Sequence, residues 1–260
     1  MAAGGTVHTF MADEARKYIK NEDLKKLLEE ELSPYLSGAM FPDSGYIGDR
    51  SYGEYAHWAN FQNAYLTLIQ KKCEFPFVGR CRSLFAHLLG CYAHSIGDVN
   101  WDRYFQRQSA DYDFNGNYPL ADKETTFGMD LVAIAFHKRG KVMPKMWHPV
   151  EELTELFKKV TGRDLSKTIR KNTLTYKLAM VGERFIAPVG ALVMKKKAPW
   201  ATTNLIAGKG GVTDTAEILG ALYNKIWDEL VDHGYNGKIE FHETGGWPNV
   251  KSWIITSADL

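Results

Sequence analysis

Apolar residues recur at helical intervals through most of the chain, and alternation suited to strands is nearly absent before residue 236. The segment FMADEARKYIKNEDLKKLLEEELSPYL predicts helix, interrupted near Asn21, where Asn-Glu-Asp offers a fresh cap. SGAMFPDSGYIGDRSYGE, rich in glycine, predicts a turn-rich connection carrying Asp43, and Glu54 to Lys72 a helix with His57 in its first turn. The aromatic and polar stretch RYFQRQSADYDFNGNYPLADKE predicts irregular chain, and TTFGMDLVAIAFHKRG a helix ending at Gly140. Three further helices follow: a short amphipathic one opened by Pro149, a long one carrying Pro188, and TDTAEILGALYNKIWDEL. The tail holds two short β-like runs around a Gly-Gly-Trp-Pro turn. The expected fold class is all-α, with or without a small C-terminal β-hairpin. The expected division is a helical domain over 1–235 and an extension over 236–260 packed on it.

LFAHLLGCYAHSIGDVNWD, Leu84 to Asp102, carries the chemistry. His94 and Asp98 are four residues apart, so a helix stacks their side chains on one face, an arrangement suited to holding a metal ion. Gly90 and Gly97 would let a neighbouring backbone approach this helix closely. Each candidate also has a plain explanation. A lone helical histidine is usually a hydrogen-bonded structural residue, and Asp43 could cap a Pro-Asp-Ser-Gly turn.

A net charge of +1 gives no reason to expect nucleic acid. The opening MAAGGTVHTF lacks the charged start and apolar core of a secretory signal, and no apolar run approaches the roughly 18–20 residues of a membrane span. The basic runs Lys138 to Lys145 and Lys195 to Lys197 are either solvated faces or points of peripheral contact with an anionic membrane. GKGG at Gly208–Gly211 lacks the strand and the Lys-Ser/Thr ending of a phosphate loop and reads as a plain loop. Cys73 and Cys81 either bridge the loop CEFPFVGRC or remain thiols with Cys91.

The pieces HTFMADEA, FPDSGY, HWANFQNAYL, HLLGCYAHSIGDVNW, DFNGNYPLADKETTFGMD and GGVTDTAEILGALYNKIW resemble, in order, the zinc-dependent phospholipase C family of the phospholipase C/P1 nuclease superfamily. The resemblance is strongest to the N-terminal catalytic domain of its glycosylphosphatidylinositol-specific phospholipase D branch. It implies a multi-helix domain around a metal cluster, usually zinc, that cleaves a phosphodiester or phospholipid-like ester with metal-bound hydroxide. It also favours secretion. By this resemblance Asp43, His57, His94 and Asp98 would hold one metal. His8 would share Asp98 around a second. Asp43, His94 and Asp98 would be the catalytic side chains.

The third metal position departs from the family pattern. Where the family has imidazoles and an acid, this chain carries Asp102 or, by another alignment, Tyr104, followed by Asp122 and Thr126. Oxygen groups suit a harder divalent ion, or the position holds none and the cluster has one or two zincs. Three readings stay open: a metal-dependent hydrolase of a phospholipid or related small ester; a repurposed relative doing Lewis-acid or acid–base chemistry on a small apolar molecule; and an inactive binding domain. Metal content would separate them. Oligomeric state stays open.

Overall fold

The structure is a computed structural model that describes residues 3–47, 52–137, 140, 144–232, 239–243 and 253–257. Twelve α-helices dominate the described residues: α1 Gly5–Ala15, α2 Glu22–Glu30, α3 Leu32–Ser44, α4 Gly53–Ala56, α5 Ala59–Lys72, α6 Arg80–Asn100, α7 Gln106–Asp113, α8 Tyr118–Phe136, α9 Val150–Thr161, α10 Ser166–Lys197, α11 Pro199–Asn204 and α12 Val212–Asp232. A 3₁₀ turn, Arg16–Tyr18, follows α1, and a π turn, Trp101–Phe105, joins α6 to α7. Strands β1 Ile239–Glu243 and β2 Trp253–Ser257 pair antiparallel, Ile239 opposite Ser257. The all-α expectation holds, with the terminal hairpin.

Asn21 caps α2 as expected, its side-chain oxygen accepting the N–H groups of Asp23 and Leu24 at 3.0 and 3.1 Å. Three boundaries differ from the sequence expectation. First, α3 runs on through Phe41-Pro42-Asp43 instead of ending in a loop. Pro42 forfeits one hydrogen bond near the helix end, while Met40 and Phe41 are fully buried and hold the turn in place. Second, His57 lies between α4 and α5, not within the first turn of one continuous helix. Third, the stretch after Asp102 is helical. Trp101, Phe105, Gln106, Ser109 and Ala110 are buried at helical spacing, and the Trp101 and Phe105 rings stack at 4.1 Å. The break falls later, at Asn115 and Gly116, both with positive φ. As a result α8 begins at Tyr118, and Thr125 and Thr126 sit well inside it.

Helices α3 and α6 form the centre. A methyl on Gly90 would stand 2.0 Å from the Tyr35 carbonyl oxygen, and one on Gly38 would stand 2.1 Å from that of His87. The two backbones therefore touch where neither has a side chain. Tyr35 donates its hydroxyl to Ala12 O of α1 at 2.7 Å, and Tyr223 of α12 donates to Leu89 O at 2.8 Å. These buried bonds lock α1 and α12 around the central pair. Cys73 and Cys81 form a disulfide that closes the loop ahead of α6, and Cys91 is a buried thiol. The GKGG segment is a loop ahead of α12, tied to it by Gly210 N–H and the Lys209 ammonium, both on Asp214 at 2.8 Å. Most of the Lys138–Lys145 run, and the ends and turn of the 236–260 segment, lie outside the described residues.

Candidate metal centre

The inner end of α6 presents His94 and Asp98 toward the junction of α1, α3 and the α4–α5 corner. His94 is fully buried, and its Nδ1 lies 2.8 Å from Ala39 O on α3. His57 Nδ1 lies 2.6 Å from Gly53 O. A carbonyl oxygen only accepts, so each Nδ1 carries the proton and each Nε2 presents a lone pair. Those two Nε2 atoms face each other at 2.9 Å. Two lone pairs at that distance repel, and a cation or a shared proton between them removes the repulsion.

Carboxylates surround the pair. Asp43 Oδ1 lies 3.5 Å from His57 Nε2 and 3.8 Å from His94 Nε2. Asp98 Oδ2 lies 3.4 Å from His94 Nε2 and 3.7 Å from His57 Nε2. The second oxygen of Asp98, Oδ1, lies 3.0 Å from His8 Nε2, and the His8 ring stacks on His94 with centroids 3.9 Å apart. That approach is close, but its angle is poor, and neither ring nitrogen of buried His8 has a hydrogen-bond partner. Two triads have ligand atoms within 4.8 Å of one another: His8, His94 and Asp98, and Asp43, His57 and His94. The five residues that the resemblance assigns to the first two metal positions thus converge. The Asp43 side chain faces the imidazoles and does not serve its own turn.

Burial alone would raise both carboxyls. For Asp43 the neighbouring His94, His57 and His8 outweigh it and hold the pKa below the usual range. Asp98 is held well below, by His94 and His8. Burial lowers His94, aided by His8. Burial also acts to lower His57, but its bond to Asp43 and the charge of Asp98 leave it raised. The cluster is thus two ionised carboxylates facing imidazoles whose outer nitrogens are fixed. Such a nitrogen–oxygen donor set could hold a divalent ion of the zinc type.

Asp102, Asp122 and Thr126 do not join it. Gln106 donates to Asp122 Oδ1 at 2.8 Å, and Thr126 donates its hydroxyl to the Asp122 carbonyl at 2.8 Å. Tyr118 donates to the other end of the Gln106 amide at 3.3 Å. Burial, then the charges of Asp98 and Asp122, push Asp102 up to about 7. Of the aromatic side chains near these positions in sequence, Phe41 and Trp101 are core, Tyr46 lies against His57 with centroids 4.9 Å apart, and Phe127 is 46% exposed.

Asp130 carries a role that the sequence did not disclose. Buried in α8, it accepts Val7 N–H at 2.8 Å and so fixes the first turn of α1, which holds His8. Its only signal was an acid in the apolar run GMDLVAIAF. The carbonyls of Ala39 and Gly53, which orient the imidazoles, left no signal at all, because any residue supplies a carbonyl.

Fold and site thus define a helical protein with a buried cluster of histidines and carboxylates. The chain is similar to phosphatidylinositol-glycan-specific phospholipase D of Bos taurus, 28% identical over 176 residues, 62% of this chain and 21% of the relative. The Mus musculus protein of that name is 28% identical over 201 residues, 71% of this chain and 24% of the relative. The Dictyostelium discoideum protein of that name is 27% identical over 213 residues, 76% of this chain and 22% of the relative. These similarities support a relation to that group of phospholipases. The chain spans less than a quarter of the length of these curated relatives. No protein-family model matches the chain, and no solved structure matches it.

Proposed function

We propose that this chain is a metal-dependent phosphodiesterase that hydrolyses a phospholipid or related ester, with one or two zinc ions held by Asp43, His57, His94, Asp98 and His8. The observation that carries the reading is the pair of Nε2 atoms 2.9 Å apart, each ring fixed through its Nδ1 and flanked by carboxylates. Similarity to phospholipases D supports a phospholipid as the substrate class. A divalent ion bound there supplies charge neutralisation for the phosphate and a lower pKa for the attacking water.

The protein side chains do the remaining work. The Ala39 and Gly53 carbonyls keep His94 and His57 in the tautomer that presents Nε2. Asp43 stays ionised and can accept a hydrogen bond from the attacking water and orient it. Asp98 spans both triads, one oxygen toward His8 and the other toward His94. Asp102, pushed up to about 7 by burial and by the charges of Asp98 and Asp122, can hold a proton near neutral pH and could pass it to the departing oxygen.

The hydrogen bond from Gln106 to Asp122 favours a reduced cluster, without zinc at that third position. The test is metal analysis of the purified protein with turnover of a phospholipid phosphodiester. Bound zinc, with activity lost on chelation and in His94→Ala, supports the reading. A protein that binds no divalent ion and keeps its turnover in His94→Ala overturns it.

A further inference from the structure

The longest helix, α10, turns an apolar face to solvent. Leu174, Leu178, Phe185, Val189 and Leu192 follow one another at helical spacing and are 60%, 62%, 81%, 69% and 56% exposed. Gly182 continues the same stripe, and a methyl there would meet nothing within 4 Å. The stripe is roughly 27 Å long at the helical rise per residue. The opposite side of α10 is the one that packs, through Ile169, Met180, Ala187, Ala191 and Met194. A row of large apolar side chains this exposed marks a docking surface, not scattered surface residues.

The charges around the stripe identify the occupant. Lys171 and Lys196 lie on the stripe's own line, one at each end, and both are exposed. Arg170, Lys177 and Lys195 are exposed along one flank. The single acid of α10, Glu183, points the other way, toward Thr6 of α1. The exposed face therefore carries apolar side chains and cations and no carboxylate of its own. Beside it, Ile134 and Phe136 of α8 and Arg184, Pro188 and Leu192 of α10 line an apolar groove of about 490 Å³.

We propose that this face of α10 docks on an anionic lipid bilayer, with the helix lying in the plane of the interface. Apolar side chains enter the boundary between headgroups and acyl chains, and the lysines at both ends reach anionic headgroups. No helix among the described residues is long and apolar enough to cross a membrane, which fits a surface orientation. A second copy of the chain is a poorer occupant, because a self-complementary pairing sets these cations against their own copies. The inference stands apart from the hydrolytic reading, since docking needs no turnover.

The experiment is flotation of the full chain with vesicles of phosphatidylcholine plus phosphatidylserine, and with vesicles of phosphatidylcholine alone. Binding to the anionic vesicles at least ~10-fold tighter than to the neutral ones, and weaker at high salt, is expected. Phe185→Ser with Val189→Ser, and separately Lys195→Glu with Lys196→Glu, should each weaken it about 10-fold. These side chains are exposed, so folding should survive. His94→Ala should float like the unmodified chain whatever its activity. Equal binding to both vesicle types, or binding untouched by either double variant, overturns the proposal. So does a dimer that Phe185→Ser with Val189→Ser dissociates while the chain fails to float; the face would then join copies.

Discussion

Asp130 of α8 receives the Val7 N–H of α1 at 2.8 Å and holds the helix that carries His8. Burial pushes this carboxyl well above its usual range, and nearby Glu183 adds to the effect. Glu183 is itself pushed up to about 7 by burial, against the pull of Arg184 and Thr6. The start of α1 thus rests on two acids that the fold prefers protonated.

That preference gives stability a pH dependence of definite sign. A carboxyl whose pKa rises on folding stabilises the fold fully below its unfolded value and loses that contribution as pH passes its folded value. For Glu183 the window runs from 4.5 to about 7. Thermal unfolding followed across this range should show the melting temperature falling with rising pH. In Glu183→Gln this part of the slope should vanish.

Gly90 sets the spacing on which the site depends. Because a methyl there would meet the Tyr35 carbonyl, Gly90→Ala must push α6 away from α3. We expect about 1–3 kcal/mol of destabilisation by denaturant titration. We also expect weaker metal binding, because α3 carries Asp43 and α6 carries His94 and Asp98. A variant that loses stability but keeps full affinity would mean the site tolerates the shift.

Loss of a ligand should be felt in both binding and rate. His94 serves both triads, so His94→Ala should lower zinc affinity by at least ~10-fold and turnover by ~10²-fold or more. His87→Ala is the contrasting change. His87 is equally buried on α6 but bonds to His148 at 3.0 Å, away from the cluster. It should cost stability and leave metal content unchanged, as mass spectrometry of the native protein can show.

The third position can be rebuilt. Asp122→His with Thr126→Asp removes the Gln106–Asp122 contact and restores the residue types that the resemblance places there. Elemental analysis should then find additional zinc per chain, with Asp102 nearby as an oxygen donor. An unchanged zinc content would mean that the π turn after α6 has carried Asp102 out of reach.

Helical periodicity made most of the fold legible. Apolar positions three and four apart announced α2, α9, α10 and α12, and Asn21 announced a cap, because these are local preferences. Local signals failed at Pro42 and after Asp102. There, burial of Met40, Phe41, Trp101 and Phe105 outweighed turn-like composition, and burial depends on elements distant in sequence. Whether Cys73 and Cys81 would bond was likewise undecidable from their spacing, since the geometry is set by how the loop folds back.

The sequence by itself determined which groups of this protein could meet: histidines and aspartates at telling intervals, His94 and Asp98 on one helical face, and His8, Asp43 and His57 in an order that resembles a known family. Only the tertiary structure decided that they do meet, and how. The contact of α3 with α6 at two glycines, the carbonyls of Ala39 and Gly53 that choose each tautomer, and the hold of Asp130 on α1 all act between segments far apart along the chain. Backbone groups are the same in every residue, and the approach of helices is a property of the packed core, so neither leaves a mark that periodicity can read.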